Sequence, residues 1–378
     1  MSLPARCSYE RPQPTVCLTI PSLYDGTTLD CRLYHPVVFD MKGSSSWRGN
    51  AAVVAHPYAP MGGCYDDAVV ETVVAQLLES GFLVGTFNFR GAGLSAGRTS
   101  WTARPEREDY ASFVAFLAHY VDHLDAPRED ASPPVLLMSG YSYGAMVTTQ
   151  LGPLDTLLNA LVAPTPGSYA AEIRLRAEHL ALQARATTST TKQPSPMGVR
   201  VGGDERRRSN DTRRSFSLGA ENRLRRGVHD LLTRTHERGR RRLRLRSEDE
   251  KDKTKRAKSA PASTPPASSP SPRPRAAYLL VSPLQGLVSH LATFSWSLSS
   301  TAQAQLMAHP SLAIFGTRDA LVPAAKVRAW AQRLAAGPGS GFGALEVAQA
   351  GHFWTEAGAL AEAAAAVREF ATGLVHTG

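Results

Sequence analysis

The sequence predicts an α/β fold, a central mostly parallel sheet of about eight strands flanked by helices, and three observations predict it. Short apolar runs alternate with stretches of helical period along most of the 378 residues, the pattern of strands whose connecting helices cross back over a sheet. Hydrophobic residues make up 43% of the chain and charged ones 20%, enough for a sizeable core. No apolar run approaches the roughly eighteen residues that cross a bilayer, so a membrane span is excluded and a soluble protein expected.

The first two candidate strands, Thr15–Ile20 and Cys31–His35, are bounded by proline and by the turn signal Tyr24-Asp25-Gly26, which predicts an antiparallel hairpin at the sheet edge. Further strands are expected at Ala51–Ala55, Leu83–Asn88, Val135–Ser139, Ala277–Ser282, Leu312–Gly316 and Leu345–Ala348. Between them, helical spacing predicts Asp66–Ser80, Glu106–His119, Ser142–Leu151, Ala325–Ala335 and Glu356–Val375. In the last, Leu360, Ala364, Val367, Phe370 and Leu374 recur every three or four residues and form one buried stripe. Leu157–Ala163 is an alternative strand that would compete for the place given to Ala277–Ser282. No internal repeat occurs.

The charge is segregated. Residues 168–275 hold 27 Lys+Arg and 12 Asp+Glu, a net +15, whereas the rest of the chain holds 15 and 21, a net −6, beneath the overall +9. Domains are therefore expected as a core from 13–167, an insertion from 168–275 and the returning core from 276–376. The insertion opens on a helix at 168–185, whose stripe Ile173, Ala177, Leu180 and Ala184 suits either a small cap over a site or an ordinary helix packed on the body. Its remainder, Ala186 to about Arg275, carries arginine runs, a mixed-charge block and a Pro/Ser/Ala tail. Such composition buries too little apolar surface to offset about 1–2 kcal/mol of backbone entropy per residue, and disorder is expected. A thin apolar face at Leu224, Val228, Leu231 and Leu232 makes a helix over Asn222–Arg246 marginal.

Four cysteines, Cys7, Cys17, Cys31 and Cys64, occur without a CxxC pair, so neither a disulfide framework nor a cysteine zinc site is indicated. They read as reduced thiols. Met1–Pro12 has no apolar stretch behind a basic end and does not read as a secretory signal. A cytoplasmic protein is expected, with nuclear entry through the basic insertion left open.

Chemistry concentrates where Gly140-Tyr141-Ser142-Tyr143-Gly144 follows an apolar strand and opens a helix, the context of a G-x-S-x-G nucleophile elbow. A reversal this sharp strains the central residue and leaves Ser142 exposed at the strand end, above the free N–H groups of a helix N-terminus. A serine nucleophile needs a base, and the base an orienting acid. Asp319, three residues past a strand, and His352, between the last strand and the last helix, follow in the order Ser, Asp, His expected of this architecture. His119, His123 and His179 lie in or beside helices and read as bystanders. Oxyanion donors are expected at the N–H of Tyr143 and of Tyr58, or alternatively Ala59, in the loop His56-Pro57-Tyr58-Ala59-Pro60-Met61-Gly62-Gly63. His56 reads as a loop-shaping residue beneath the site. The segment Phe87–Gly97 has the spacing GxGxxxG, with the next helix beginning only near Glu106, so it fails the dinucleotide fingerprint and reads as a tight turn near the rim.

Taken together, these residues resemble the α/β-hydrolase superfamily, and within it a group of small intracellular serine hydrolases. The resemblance is carried by His56-Pro57 with Gly62-Gly63, by Phe87–Gly97, by Gly140–Gly144 and by Gly351-His352-Phe353. It implies a Ser142/Asp319/His352 triad and neither cofactor nor metal. It implies no particular substrate beyond a small-molecule ester, thioester or amide. One departure is the position of the insertion, between the nucleophile helix and the next strand, whereas lids of the superfamily commonly follow that strand. The competing expectation is a catalytically silent binding or regulatory protein whose basic insertion contacts an anionic or protein partner. Nucleic acid is not expected as a partner.

Overall fold

The computed structural model describes residues 11–36, 47–100, 102–124, 133–189, 273–284 and 300–376. By internal contact the chain divides into two units, Met1–Gln193 with Arg273–Gly378, and Pro194–Pro272, the second wholly outside the described residues. Most of the expected disordered segment and the marginal helix Asn222–Arg246 therefore lie outside the described residues.

The first unit contains one eight-stranded sheet. Its strands are β1 (Val16–Pro21), β2 (Thr28–Tyr34), β3 (Ala51–Ala55), β4 (Leu83–Phe87), β5 (Val135–Tyr141), β6 (Arg275–Val281), β7 (Ser311–Gly316) and β8 (Phe342–Val347). They lie in the order β1-β2-β4-β3-β5-β6-β7-β8. β2 pairs antiparallel with both β1 and β4, and every other pairing is parallel. The expected edge hairpin is present and longer than expected, because Thr28 pairs with Pro21 across the turn. β8 likewise begins earlier, at Phe342, which lies opposite Ser311 of β7; Gly341 and Gly343 mask that start in the sequence.

Among the described residues eight α-helices flank this sheet, α1 (Ala68–Glu79), α2 (Arg104–His123), α3 (Tyr143–Thr148), α4 (Leu154–Asn159), α5 (Tyr169–Ser189), α6 (Ser300–Ala308), α7 (Ala324–Ala335) and α8 (Ala359–His376), with a 3-10 turn at Ala59–Met61. On one face, Val69, Val70, Val73, Val74 and Leu77 of α1 and Ala363, Val367, Ala371 and Leu374 of α8 pack with Val54, Val84, Leu137, Leu279 and Ile314 of the strands. Of the stripe expected in α8, Ala364, Val367 and Leu374 are buried, whereas Leu360 and Phe370 are only partly buried against this cluster. α2 supplies Tyr110, Phe113 and Phe116, all fully buried. The Phe87 ring meets Tyr110 and Phe113 with centroids 5.4 and 5.2 Å away, and Tyr110 donates to Ser139 O at 2.7 Å.

One alternative is corrected, and one choice left open by the sequence is decided. Leu157–Ala163 is not a strand: α4 runs through Asn159, and β6 fills the place beside β5 over seven residues, from Val135 opposite Arg275 to Tyr141 opposite Val281. The helix assigned to the insertion belongs to the first unit. Ile173, Ala177 and Leu180 of α5 are buried, α5 packs on α2 and β1, and Arg176 hydrogen-bonds Thr19 O. α5 is thus a helix packed on the body and not a cap.

The glycine-rich segment after β4 is held from within. Arg90 pairs with Asp109 (Nη2–Oδ1 2.7 Å, Nε–Oδ2 2.9 Å) and with Asp25 (Nη1–Oδ2 2.8 Å), and Asp109 is fully buried. Bidentate geometry of this kind offsets the desolvation of the charges. Arg90 beside it holds the Asp25 carboxyl down at about 2, against some opposing burial.

Candidate active site

β5 runs straight into Ser142, whose N–H donates to Val281 O at 2.8 Å, and the chain then turns into α3. Ser142 has φ 55° and ψ −112°, a strained conformation for a residue with a Cβ. The flanking glycines are required by crowding. A Cβ at Gly140 would lie 2.3 Å from Gly144 C, and one at Gly144 would lie 2.5 Å from Ala55 O.

Ser142 Oγ lies 2.8 Å from His352 Nε2, and His352 Nδ1 lies 2.7 Å from Asp319 Oδ2. The three residues are brought together from the ends of β5, β7 and β8, at sequence separations of 210 and 33. The His352 and Asp319 side chains are only 2% and 3% exposed. Asp319 is aimed by its own turn: Oδ1 accepts from Leu321 N at 2.9 Å and Val322 N at 2.8 Å, which leaves Oδ2 for the ring. With the Nδ1 proton donated to Asp319, Nε2 is left to accept from Ser142, the tautomer assigned by the hydrogen-bond network. The loops after β7 and β8 are tied by Arg318 N to Ala350 O at 2.9 Å and by Gln349 N to Thr317 Oγ1 at 2.8 Å.

Tyr58 and Tyr143 also reach the site. Their rings lie 5.2 Å apart, and among the described residues neither backbone N–H donates to a protein acceptor. Tyr58 has φ −63° and begins the 3-10 turn. His56 lies beneath them, fully buried: its Nδ1 donates to Pro57 O at 2.6 Å and its Nε2 accepts from Phe89 N at 2.9 Å. It joins the loops after β3 and β4, and burial pushes its pKa down to about 4, so the ring is neutral.

An open cavity of about 150 Å³ gives onto Ser142 and His352, with Tyr58, Gly62, Gly63, Leu321 and Phe353 in its wall. Two wall residues were not singled out by the sequence. Tyr141 donates its hydroxyl to His352 O at 2.8 Å, fixing the histidine loop, and burial pushes its phenol up. Asp67 caps α1 through Val69 N at 2.9 Å and also faces the cavity; burial raises its carboxyl above the usual range. Its place before the apolar run Ala68-Val69-Val70 signals the cap, but nothing in the sequence signals the cavity. Among the described residues, the one group of three side chains able to hold a metal ion, His119, His123 and Glu178, lies on α2 and α5 and not in this wall. No described helix is long and apolar enough to cross a membrane.

Residues 25–259 match the family model described as X-Pro dipeptidyl-peptidase (S15 family). The match covers more than half of the chain and includes Ser142, and it ends before Asp319 and His352. A comparison with curated proteins finds no match. Among solved structures, the chain is similar to an α/β serine hydrolase homologue from Coxiella burnetii, at 15% identity and a TM-score of 0.47 over 94% of this chain and 97% of that one. It is similar also to an α/β serine hydrolase without lid from Xanthomonas campestris, at 16% and 0.47 over 96% of each chain. An esterase of Pyrococcus furiosus follows at 13% and 0.43, over 94% of this chain and 90% of that one.

Proposed function

The chain belongs to the X-Pro dipeptidyl-peptidase (S15) family, within the α/β-hydrolase superfamily, and from that premise we propose that it is a serine hydrolase that works through an acyl-enzyme on a small carboxylic ester, thioester or amide. The observation that carries the reading is the unbroken hydrogen-bond chain from Ser142 Oγ through His352 to Asp319. In this reading Ser142 Oγ attacks the acyl carbon and passes its proton to His352 Nε2. Asp319 stabilises the imidazolium that forms without taking up a proton itself. The N–H groups of Tyr143 and Tyr58 hold the oxyanion of the tetrahedral intermediate. His352 then gives its proton to the leaving group, which departs and leaves the acyl group on Ser142. A water molecule, deprotonated by His352, cleaves the ester and restores the serine.

The cavity admits small substrates, and the family description adds peptides with proline to the acyl groups that merit trial. The test is a rapid-mixing assay of the full chain with p-nitrophenyl acetate. A burst of p-nitrophenol equal to one per chain, absent from Ser142→Ala, is expected; turnover retained by Ser142→Ala sinks the reading. A panel of longer esters, thioesters and X-Pro p-nitroanilides then ranks the acyl group.

A further inference from the structure

We propose that His119, His123 and Glu178 form a second site, apart from the triad, that binds a divalent transition-metal ion of the zinc class and clips α5 to α2. His119 and His123 stand four residues apart on α2, so they share one face of the helix, and their rings lie 4.4 Å apart. Glu178 comes from α5, which packs against that face. One ligand atom from each of the three lies within 4.8 Å of the other two.

The distances suit the ion. With bonds of about 2.0–2.2 Å from nitrogen and oxygen, neighbouring ligands in a tetrahedral zinc site lie about 3.3–3.6 Å apart. His119 Nε2 lies 3.2 Å and His123 Nε2 3.9 Å from Glu178 Oε1, on either side of that range. Two imidazoles and one carboxylate select zinc and its neighbours over magnesium or calcium, and leave a fourth position to solvent.

The surroundings prepare the ligands. His123 Nδ1 lies 2.9 Å from His119 O; as the donor in that bond it leaves the lone pair of Nε2 pointing at Glu178, the second hydrogen bond that metal-bound histidines characteristically make. In the metal-free chain His119 Nε2 donates to Glu178 Oε1 at 3.2 Å; binding moves that proton to Nδ1. The side chains are 18%, 35% and 27% exposed, buried enough to be held and open enough for an ion to enter. Arg174 opposes the ion. Its Nε donates to Glu178 Oε1 at 2.8 Å while Nη1 is anchored on Val162 O at 2.7 Å, so its charge lies beside the site and weakens the binding of a cation.

The test is titration of the metal-free full chain with zinc chloride by calorimetry in a non-chelating buffer, with the thermal midpoint read on the same samples. Wild type is expected to take up one zinc that the His119→Ala/His123→Ala double variant does not, with a rise in midpoint that the double variant lacks. Arg174→Gln is expected to bind more tightly than wild type. Glu178→Gln, which leaves α2 untouched, is the check should the double variant fold poorly, and it too is expected to lose the zinc. Absence of zinc uptake by wild type overturns the proposal. So does undiminished uptake by folded Glu178→Gln, or loss of the same zinc in His352→Ala, which would place the ion at the triad.

Discussion

Two groups of histidine and carboxylate occupy this molecule, one at the strand ends and one between two helices, and they differ in what surrounds the ring. His352 has its Nδ1 on Asp319, its Nε2 on Ser142 and almost no exposure. His119 and His123 stand side by side on α2, partly open to water, and share a carboxylate with Arg174. A ring clamped at both nitrogens in a dry site has one route for its proton, which suits a shuttle. A half-open ring whose Nδ1 donates to a backbone carbonyl, as that of His123 does to His119 O, has the lone pair of Nε2 to offer, which suits a ligand. The difference teaches that the residue pair alone specifies neither role; the loop ends and the third partner do.

The comparison breaks most visibly by removing one histidine from each group. His352→Ala should lower kcat on an ester substrate by about 10⁶-fold, the scale of losing a triad member, whereas His123→Ala should leave kcat unchanged; equal losses would erase the distinction. The carboxylates give the next largest contrast. Asp319→Asn should cost about 10⁴-fold by presenting the wrong tautomer to Ser142, while Glu178→Gln should leave turnover at the wild-type level, both read by steady-state kinetics on folded protein.

A smaller effect sharpens the account of the oxyanion. Tyr58 already has φ −63°, the value proline imposes, so Tyr58→Pro removes the N–H and keeps that angle. A loss of about 10²–10³ in kcat is expected, and Tyr58→Ala, which keeps the N–H, should retain most of the activity. If the two variants fall equally, the N–H has no part in holding the oxyanion.

The smallest effect concerns stability. Burial lowers the His56 pKa from 6.5 to about 4, so between these values the unfolded chain binds the proton and the folded chain does not. Stability is fully present above pH 6.5 and is lost as pH falls towards 4. The shift corresponds to about 3 kcal/mol. Urea midpoints between pH 7 and 4 should fall for wild type and fall less for His56→Gln, which carries no titrating ring. His35, also lowered by burial to about 4, adds a slope of the same sign in both proteins. A midpoint of wild type that holds level across the range would contradict the burial of neutral His56.

The strands and the elbow were legible because their signals are local. Val135–Met138 is one apolar run, and Ser142 sits between two glycines that the turn cannot do without. The order of Ser142, Asp319 and His352 sets them after three of the expected strands, those seen as β5, β7 and β8, although their contacts span up to 210 residues. Features that depend on pairing across the fold were not legible. The hydroxyl of Tyr141 meets His352 O across 211 residues, and Arg90 meets Asp25 across 65; neither pair has a periodic or spaced signature. α5 shows the same limit. Its stripe of Ile173, Ala177 and Leu180 announced a buried face, but which surface buries it depended on α2 and β1. His119 and His123 read as bystanders in the sequence because they lie in a helical stretch; the carboxylate that meets them, Glu178, arrives from 55 residues beyond His123.

The central claim, an activated Ser142, is tested most directly by treating the full chain and its Ser142→Ala and His352→Ala variants with a fluorophosphonate probe and mapping the modified peptide. The account predicts one adduct, on Ser142, formed quickly in wild type, absent from Ser142→Ala and greatly slowed in His352→Ala. Folded wild-type protein that takes no label, or a label carried on another residue and undiminished in Ser142→Ala, would contradict it.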